Sequence, residues 1–253
     1  MIRFLYENIF ASATLTSSTE TSGYADDNVL DNFPSQKWRS TDRDDQWLKF
    51  NLGSAQEVTM FTAIRNNLTS TAVLKLYGHA TNLGDNAAAW AGATYSGTLS
   101  FDQNVGIVFP NNTLQWWFLE IDDPSNADNF VEVGLIYGGA YQSPSENFNE
   151  DFMEKTCDSS LQNWSEGGHG FSVEKPTWKE FQIQFADIDS DNRTVLKTMW
   201  DAVGRREPLV IALDPDLYPV EFTRFGKFMN EALEFQGMAY DRFSTSLYFR
   251  EVR

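Results

Sequence analysis

The 253-residue chain has one cysteine, Cys157, and two histidines, His79 and His169. A single cysteine closes no intrachain disulfide, so the chain either matures in a reducing compartment or holds its core without covalent staples. Two histidines far apart leave little for nucleophilic catalysis. A Ser-His-Asp or Cys-His arrangement would have to use one of them, and neither lies in a recognisable motif. Cys157 has no CxxC partner. Basic residues are also scarce, 19 Lys and Arg against 36 Asp and Glu, for a formal net charge of −17. Residues 1–141 carry −9 and the remainder −8, so the acidity belongs to the whole chain. A surface of that sign repels phosphate backbones and anionic lipid, which argues against nucleic acid as a partner and against docking on anionic membranes. No apolar run approaches a membrane span, and Glu7 and Asn8 break the first ten residues before signal-peptide length. The expectation is a soluble protein made in a cytoplasm, with no membrane insertion.

Aromatic residues are plentiful at 15%, and hydrophobic residues make up 42%, enough for a packed core. Gln46-Trp47-Leu48-Lys49-Phe50-Asn51-Leu52-Gly53 alternates, with Trp47, Lys49 and Asn51 on one face of a strand and Leu48, Phe50 and Leu52 on the other. Gly53 is expected to end it. Further strands are predicted over 1–10, 11–16, 58–65, 73–80, 105–110, 116–122 and 131–137, separated by Asn-, Asp-, Ser- and Gly-rich turns. Short strands at this spacing, without long amphipathic helices between them, predict a β-sandwich or jelly roll over residues 1–141. Residues 142–171 are polar and turn-rich and are expected to be a connector. Their Gly167-Gly168-His169-Gly170 lacks the Lys-Ser/Thr of a phosphate loop and is expected to be a turn.

Residues 172–253 predict a second, β-rich unit with one main helix. Phe181, Ile183 and Phe185 alternate toward a core. Val195, Leu196, Met199, Trp200 and Val203 then mark one helical stripe, with Asp189 or Ser190 as cap and Gly204 as terminator. Pro208 to Asp214 is an apolar strand. Phe4, Tyr6 and Ile9 are apolar for a terminus, so residues 1–10 are expected to pair with the second unit or a neighbouring molecule.

The paired carboxylates Asp26-Asp27, Asp44-Asp45 and Asp122-Asp123 could in principle run glycoside hydrolysis, but in so acidic a chain such pairs arise by composition and are expected to be solvated turns. Asp187-Ile188-Asp189-Ser190-Asp191 begins like a calcium loop, yet Asn192 and Thr198 stand where an EF-hand needs Gly and Glu. Trp38, Trp47, Trp116 and Trp117 are candidate stacking platforms. Trp47 and one of Trp116 and Trp117 are expected in the core, which leaves the loop residues Tyr24, Arg39, Arg43 and Asn66 as candidate saccharide contacts.

Val29-Leu30-Asp31, Trp38-Arg39-Ser40, residues 46–53 and residues 131–139 resemble a discoidin-like (coagulation factor 5/8 type C, galactose-binding-like) domain. The resemblance implies a non-enzymatic binding module, although the disulfide usual in eukaryotic members is absent. It also implies a structural calcium held by Asp31 and completed by Glu132, the alternative being that Asp31 caps its turn; no other cofactor is implied. Ile136-Tyr137-Gly138-Gly139-Ala140-Tyr141, Lys175-Pro176-Thr177-Trp178 and residues 208–214 and 247–251 are similar to minor tail proteins at the tip of long-tailed bacteriophages. That likeness implies a virion protein made in the host cytoplasm. It would assemble with copies of itself, in a threefold or sixfold ring, and with other tail proteins, displaying a module that touches a host surface glycan. A stand-alone bacterial lectin and a glycoside hydrolase with an accessory module are the alternatives.

Overall fold

Alternation in the strands sets the architecture of the first unit, which comprises Met1–Ser143 and Val210–Arg224. The computed structural model describes residues 1–148 and 152–252. The strands of residues 1–143 are β1 (Arg3–Leu5), β2 (Thr14–Ser17), β3 (Trp38–Arg39), β4 (Gln46–Val58), β5 (Met60–Asn66), β6 (Val73–His79), β7 (Tyr95–Thr98), β8 (Ser100–Phe101), β9 (Val105–Val108), β10 (Asn112–Asp122) and β11 (Glu132–Gly139). All but β1 form two five-stranded antiparallel sheets, β2-β4-β10-β6-β7 and β3-β11-β5-β9-β8. Leu48 and Phe50 from β4, Trp117, Leu119 and Ile121 from β10, Phe61 and Ala63 from β5 and Trp38 from β3 share one core. Each large apolar side chain closed into it contributes about 1.5–3 kcal/mol. Phe10 is central, edge-on to both Phe50 and Phe61 with ring centres 5.2 Å apart. The expected sandwich is therefore present.

Two details differ from expectation. Gly53 does not end β4. It sits at φ +77° inside a long bulge where the register against β10 jumps between Leu114 and Trp116, and the strand resumes to Val58. Trp47 lies outside the main core, on the outer face of its sheet, while Trp38 and Trp117 are fully buried.

The second unit comprises Pro144–Leu209 and Phe225–Arg253. Its elements are β12 (Met153–Cys157), β13 (Leu161–Trp164), β14 (Gly170–Val173), β15 (Trp178–Ile188) and α1 (Ser190–Val203), with β18 (Gln236–Ala239) and β19 (Arg242–Glu251) after two further strands, β16 (Leu209–Ala212) and β17 (Thr223–Phe228). Here β12, β15, β19 and residues 226–228 of β17 pair antiparallel, with β18 on β19. Phe181, Ile183, Phe185, Leu247 and Phe249 form the buried face, and Leu196, Met199 and Val203 of α1 are buried as their spacing predicts. Asp189 caps α1 by accepting from Asn192 N, and Gly204 follows its end. The 142–171 segment holds more structure than a connector: β12 joins the sheet, and β13 and β14 make a separate hairpin whose turn is Ser165 to His169.

β16 falls in the 172–253 range, yet from Val210 onward it clusters with the first unit. Its partner is β1, in the register Arg3↔Ala212, Phe4↔Ile211, Leu5↔Val210. The apolar N-terminus thus pairs with an apolar strand far along the chain. Arg3 secures it, reaching Asp216 at 2.7 Å with its guanidinium 4.2 Å from the Phe109 ring centre.

Candidate functional site

Lys37 and the short strand Trp38–Arg39 place one side chain in and two out. Trp38 is buried, with Nε1 donating to Thr19 O at 2.9 Å. That anchor sends Lys37 and Arg39 to the other face. Arg39 pairs across the sheet with Glu132, and its backbone N–H donates to Tyr24 O at 3.3 Å. The result is a layered cluster at one end of the sandwich. The Arg39 guanidinium lies 4.0 Å from the Tyr24 ring centre and 4.1 Å from that of Phe130. Its Nε and Nη2 donate to Glu132 Oε1 at 2.8 and 2.5 Å, and Lys37 Nζ donates to Oε2 at 2.6 Å. Burial pushes the Glu132 carboxyl up, but hydrogen bonds and charge from Lys37 and Arg39 outweigh it and hold the group below the ordinary carboxylate range. Two cations around one carboxylate leave a local charge of +1 on an acidic protein. Among the described residues Arg39 Nη1 has no hydrogen-bond partner, and Lys37 spends one of its three donors.

Of the four predicted saccharide contacts, the structure brings two together, Tyr24 and Arg39. Arg43 lies in the neighbouring loop, its Nη1 donating to Asn126 O at 2.7 Å. Asn66 is a structural residue: it is buried, donates to Asp102 O and accepts from Leu68 N. Lys37 and Phe130 were not anticipated as contacts. Lys37 was legible in the polar-Trp-polar pattern. Phe130 was not, because the 123–130 turn, with Asn129 at φ +59°, decides where it points.

The expected calcium pair does not fit an ion. Both Glu132 oxygens are occupied by Lys37 and Arg39, so a second cation would have to displace them. Asp31 is exposed, and its backbone N–H donates to Asn28 O at the end of a 3-10 turn. No group of three or more His, Cys, Asp or Glu able to hold a metal occurs among the described residues.

The carboxylate pairs do turn work, though not all of it solvated. Asp123 is fully buried, accepting from Thr69 N at 2.8 Å, Thr69 Oγ1 at 2.5 Å and Asn126 Nδ2 at 3.2 Å. Asp122 accepts from Asp45 N. His79 sits on the surface, Nδ1 accepting from Thr94 N at 3.2 Å, and His169 belongs to the exposed β13–β14 turn. Among the described residues no helix is long and apolar enough to cross a membrane.

No family model and no curated protein matches the chain. Among solved structures it is similar to chitosan-binding module 1 of a Paenibacillus sp. IK-5 chitosanase/glucanase, at 15% identity over 53% of this chain and 100% of that one, TM-score 0.43. It is also similar to the family 32 carbohydrate-binding module of C. perfringens NanJ in complex with galactose, at 16% identity over 56% and 100%, TM-score 0.41. A third is the lectin domain of lectinolysin complexed with Lewis B antigen, at 13% identity over 52% and 95%, TM-score 0.41.

Proposed function

We propose that the chain binds saccharides without turning them over, through the loop end of its first unit. The observation that carries this is Arg39, which packs on the Tyr24 and Phe130 rings and is held by two hydrogen bonds to Glu132. Aromatic rings offer faces to the C–H surface of a sugar, and a guanidinium and an ammonium already immobilised offer hydroxyls donors with little ordering cost. Galactose and Lewis B antigen are the saccharides held by two of the modules named above, but the reading rests on this geometry. Glycan-array binding of the intact chain tests it. Arg39→Ala and Tyr24→Ala should each weaken the leading signal by about tenfold or more, the scale of one charged hydrogen bond or one stacked ring. An empty array, or an Arg39→Ala variant that binds as the parent does, ends the reading.

A second reading is assembly into a phage tail-tip ring within the virion. It rests on the resemblance of residues 134–253 and on one separate observation. Leu161, Trp164, Phe171 and Val173 of the β13–β14 hairpin are each more than half exposed, and such apolar surface commonly marks an interface. Sedimentation analysis decides it: a trimeric or hexameric mass favours the ring, and a monomer at high concentration removes it.

A further inference from the structure

The outer face of the sheet β2-β4-β10-β6-β7 carries an unusual load of aromatic side chains. Trp47 stands opposite Glu120, and Lys49 opposite Phe118, which in turn faces Tyr77. Residues 82–94 cross this face and bury Trp90 on it. Trp90 stacks on Phe118 at 5.2 Å, and Trp47 stacks on the same ring at 5.4 Å. Trp90 Nε1 donates to Gly84 O, and Asn86 caps the following turn through Ala89 N, so the crossing segment is tied down.

A depression of about 240 Å³ remains beside this stack, lined by Trp47, Ala87 and Ala88 on its apolar side and by Asn86, Asp45 and Glu120 on its polar side. It has room for one pyranose ring. Glu120 receives one hydrogen bond at Oε2, from Tyr77 OH at 2.8 Å, and Oε1 has no partner among the described residues. Burial and that bond to Glu120 push the Tyr77 hydroxyl up to about 12, so it stays a donor. No Lys or Arg lines the depression. Lys49, whose Nζ lies 5.7 Å from the Trp47 ring centre, is held by Asp85, and Lys75, across the strand from Glu120, makes no ion pair with it among the described residues.

An aromatic wall with two carboxylates, neither in an ion pair among the described residues, favours a sugar that carries positive charge. We infer that this depression is a second saccharide subsite, on the sheet face rather than the loop end, selective for a hexosamine with a protonated amine. The sugar's C–H face rests on Trp47, its ammonium donates to Glu120, and Asn86 meets a hydroxyl. The inference rests on the reading of the first unit as a saccharide binder, but it uses none of the loop-end residues.

Titration of the intact chain with glucosamine, followed through the tryptophan indole N–H signals in 1H–15N spectra, tests it. Glucosamine should shift the Trp47 signal saturably. N-acetylglucosamine, which lacks the charge, should bind about tenfold more weakly or worse, and Glu120→Gln should weaken glucosamine to a similar degree. Arg39→Ala should leave this titration unchanged. The glutamine keeps an oxygen for Tyr77, so the variant is expected to fold. A silent Trp47 signal, equal affinity for the two sugars, or a Glu120→Gln chain that binds as the parent does would each overturn the inference. Array binding that depends on Arg39 survives any of these results, so the two proposals fail separately.

Discussion

Glu132 shows how one side chain can organise a site. Its side chain is 8% exposed, yet it stays charged because Lys37 and Arg39 both reach it. Replacing it with glutamine leaves two cations around a neutral amide and should destabilise the chain by about 1–3 kcal/mol, read from the urea midpoint. The pH dependence has a definite sign. Since the folded state holds the carboxyl below its unfolded value, the stabilisation is present above the ordinary glutamate range and fades as pH falls through the lower folded value. Glu132→Gln should flatten that part of the stability profile, and an unchanged profile would show that the pairing does not couple to folding. Gly134 is a second sensitive residue. A Cβ there would meet Pro34 O at 2.4 Å, a backbone atom that cannot swing aside. Gly134→Ala should cost about 1–3 kcal/mol and, by displacing the turn before Lys37, weaken glycan binding as well.

At the scale of elements, local pattern and long-range contact divide the credit. Helix α1 was legible because its signals are local: the Asp189 cap, the apolar stripe and Gly204. Asp189→Ala should lower the melting temperature by removing the acceptor that Asn192 N uses, and no measurable loss would mean the helix depends on packing alone. Asn192 was not legible as a core residue. It is buried in the first turn, and its Oδ1 accepts from Ser145 N at 2.6 Å, a partner that only the fold supplies. The strands β4, β10 and β15 followed from alternation, whereas β12 did not, since Met153-Glu154-Lys155-Thr156-Cys157 pairs along the sheet edge with little burial to mark it. Trp47 and Trp117 make the same point. Both lie in alternating strands, and which face becomes the core depends on the opposing sheet.

For the whole molecule, the net charge of −17 is spread over the chain, and self-repulsion lowers the stability of the compact state. Raising salt from about 0.02 to about 0.3 M shortens the screening length and should raise the urea midpoint of the chain, with the local Lys37–Glu132–Arg39 cluster little affected because it is partly buried. A midpoint that falls with salt would mean that attractive ion pairs outweigh the repulsion.

The linear chain by itself determined β4, β10, β15 and α1, because period and capping act over a few residues. Only the tertiary structure decided that β1 pairs with β16, that Glu132 pairs with both Lys37 and Arg39, and that Trp47 walls a depression instead of filling the core. Those outcomes depend on pairings between residues far apart in sequence, and no local pattern carries the geometry that selects them.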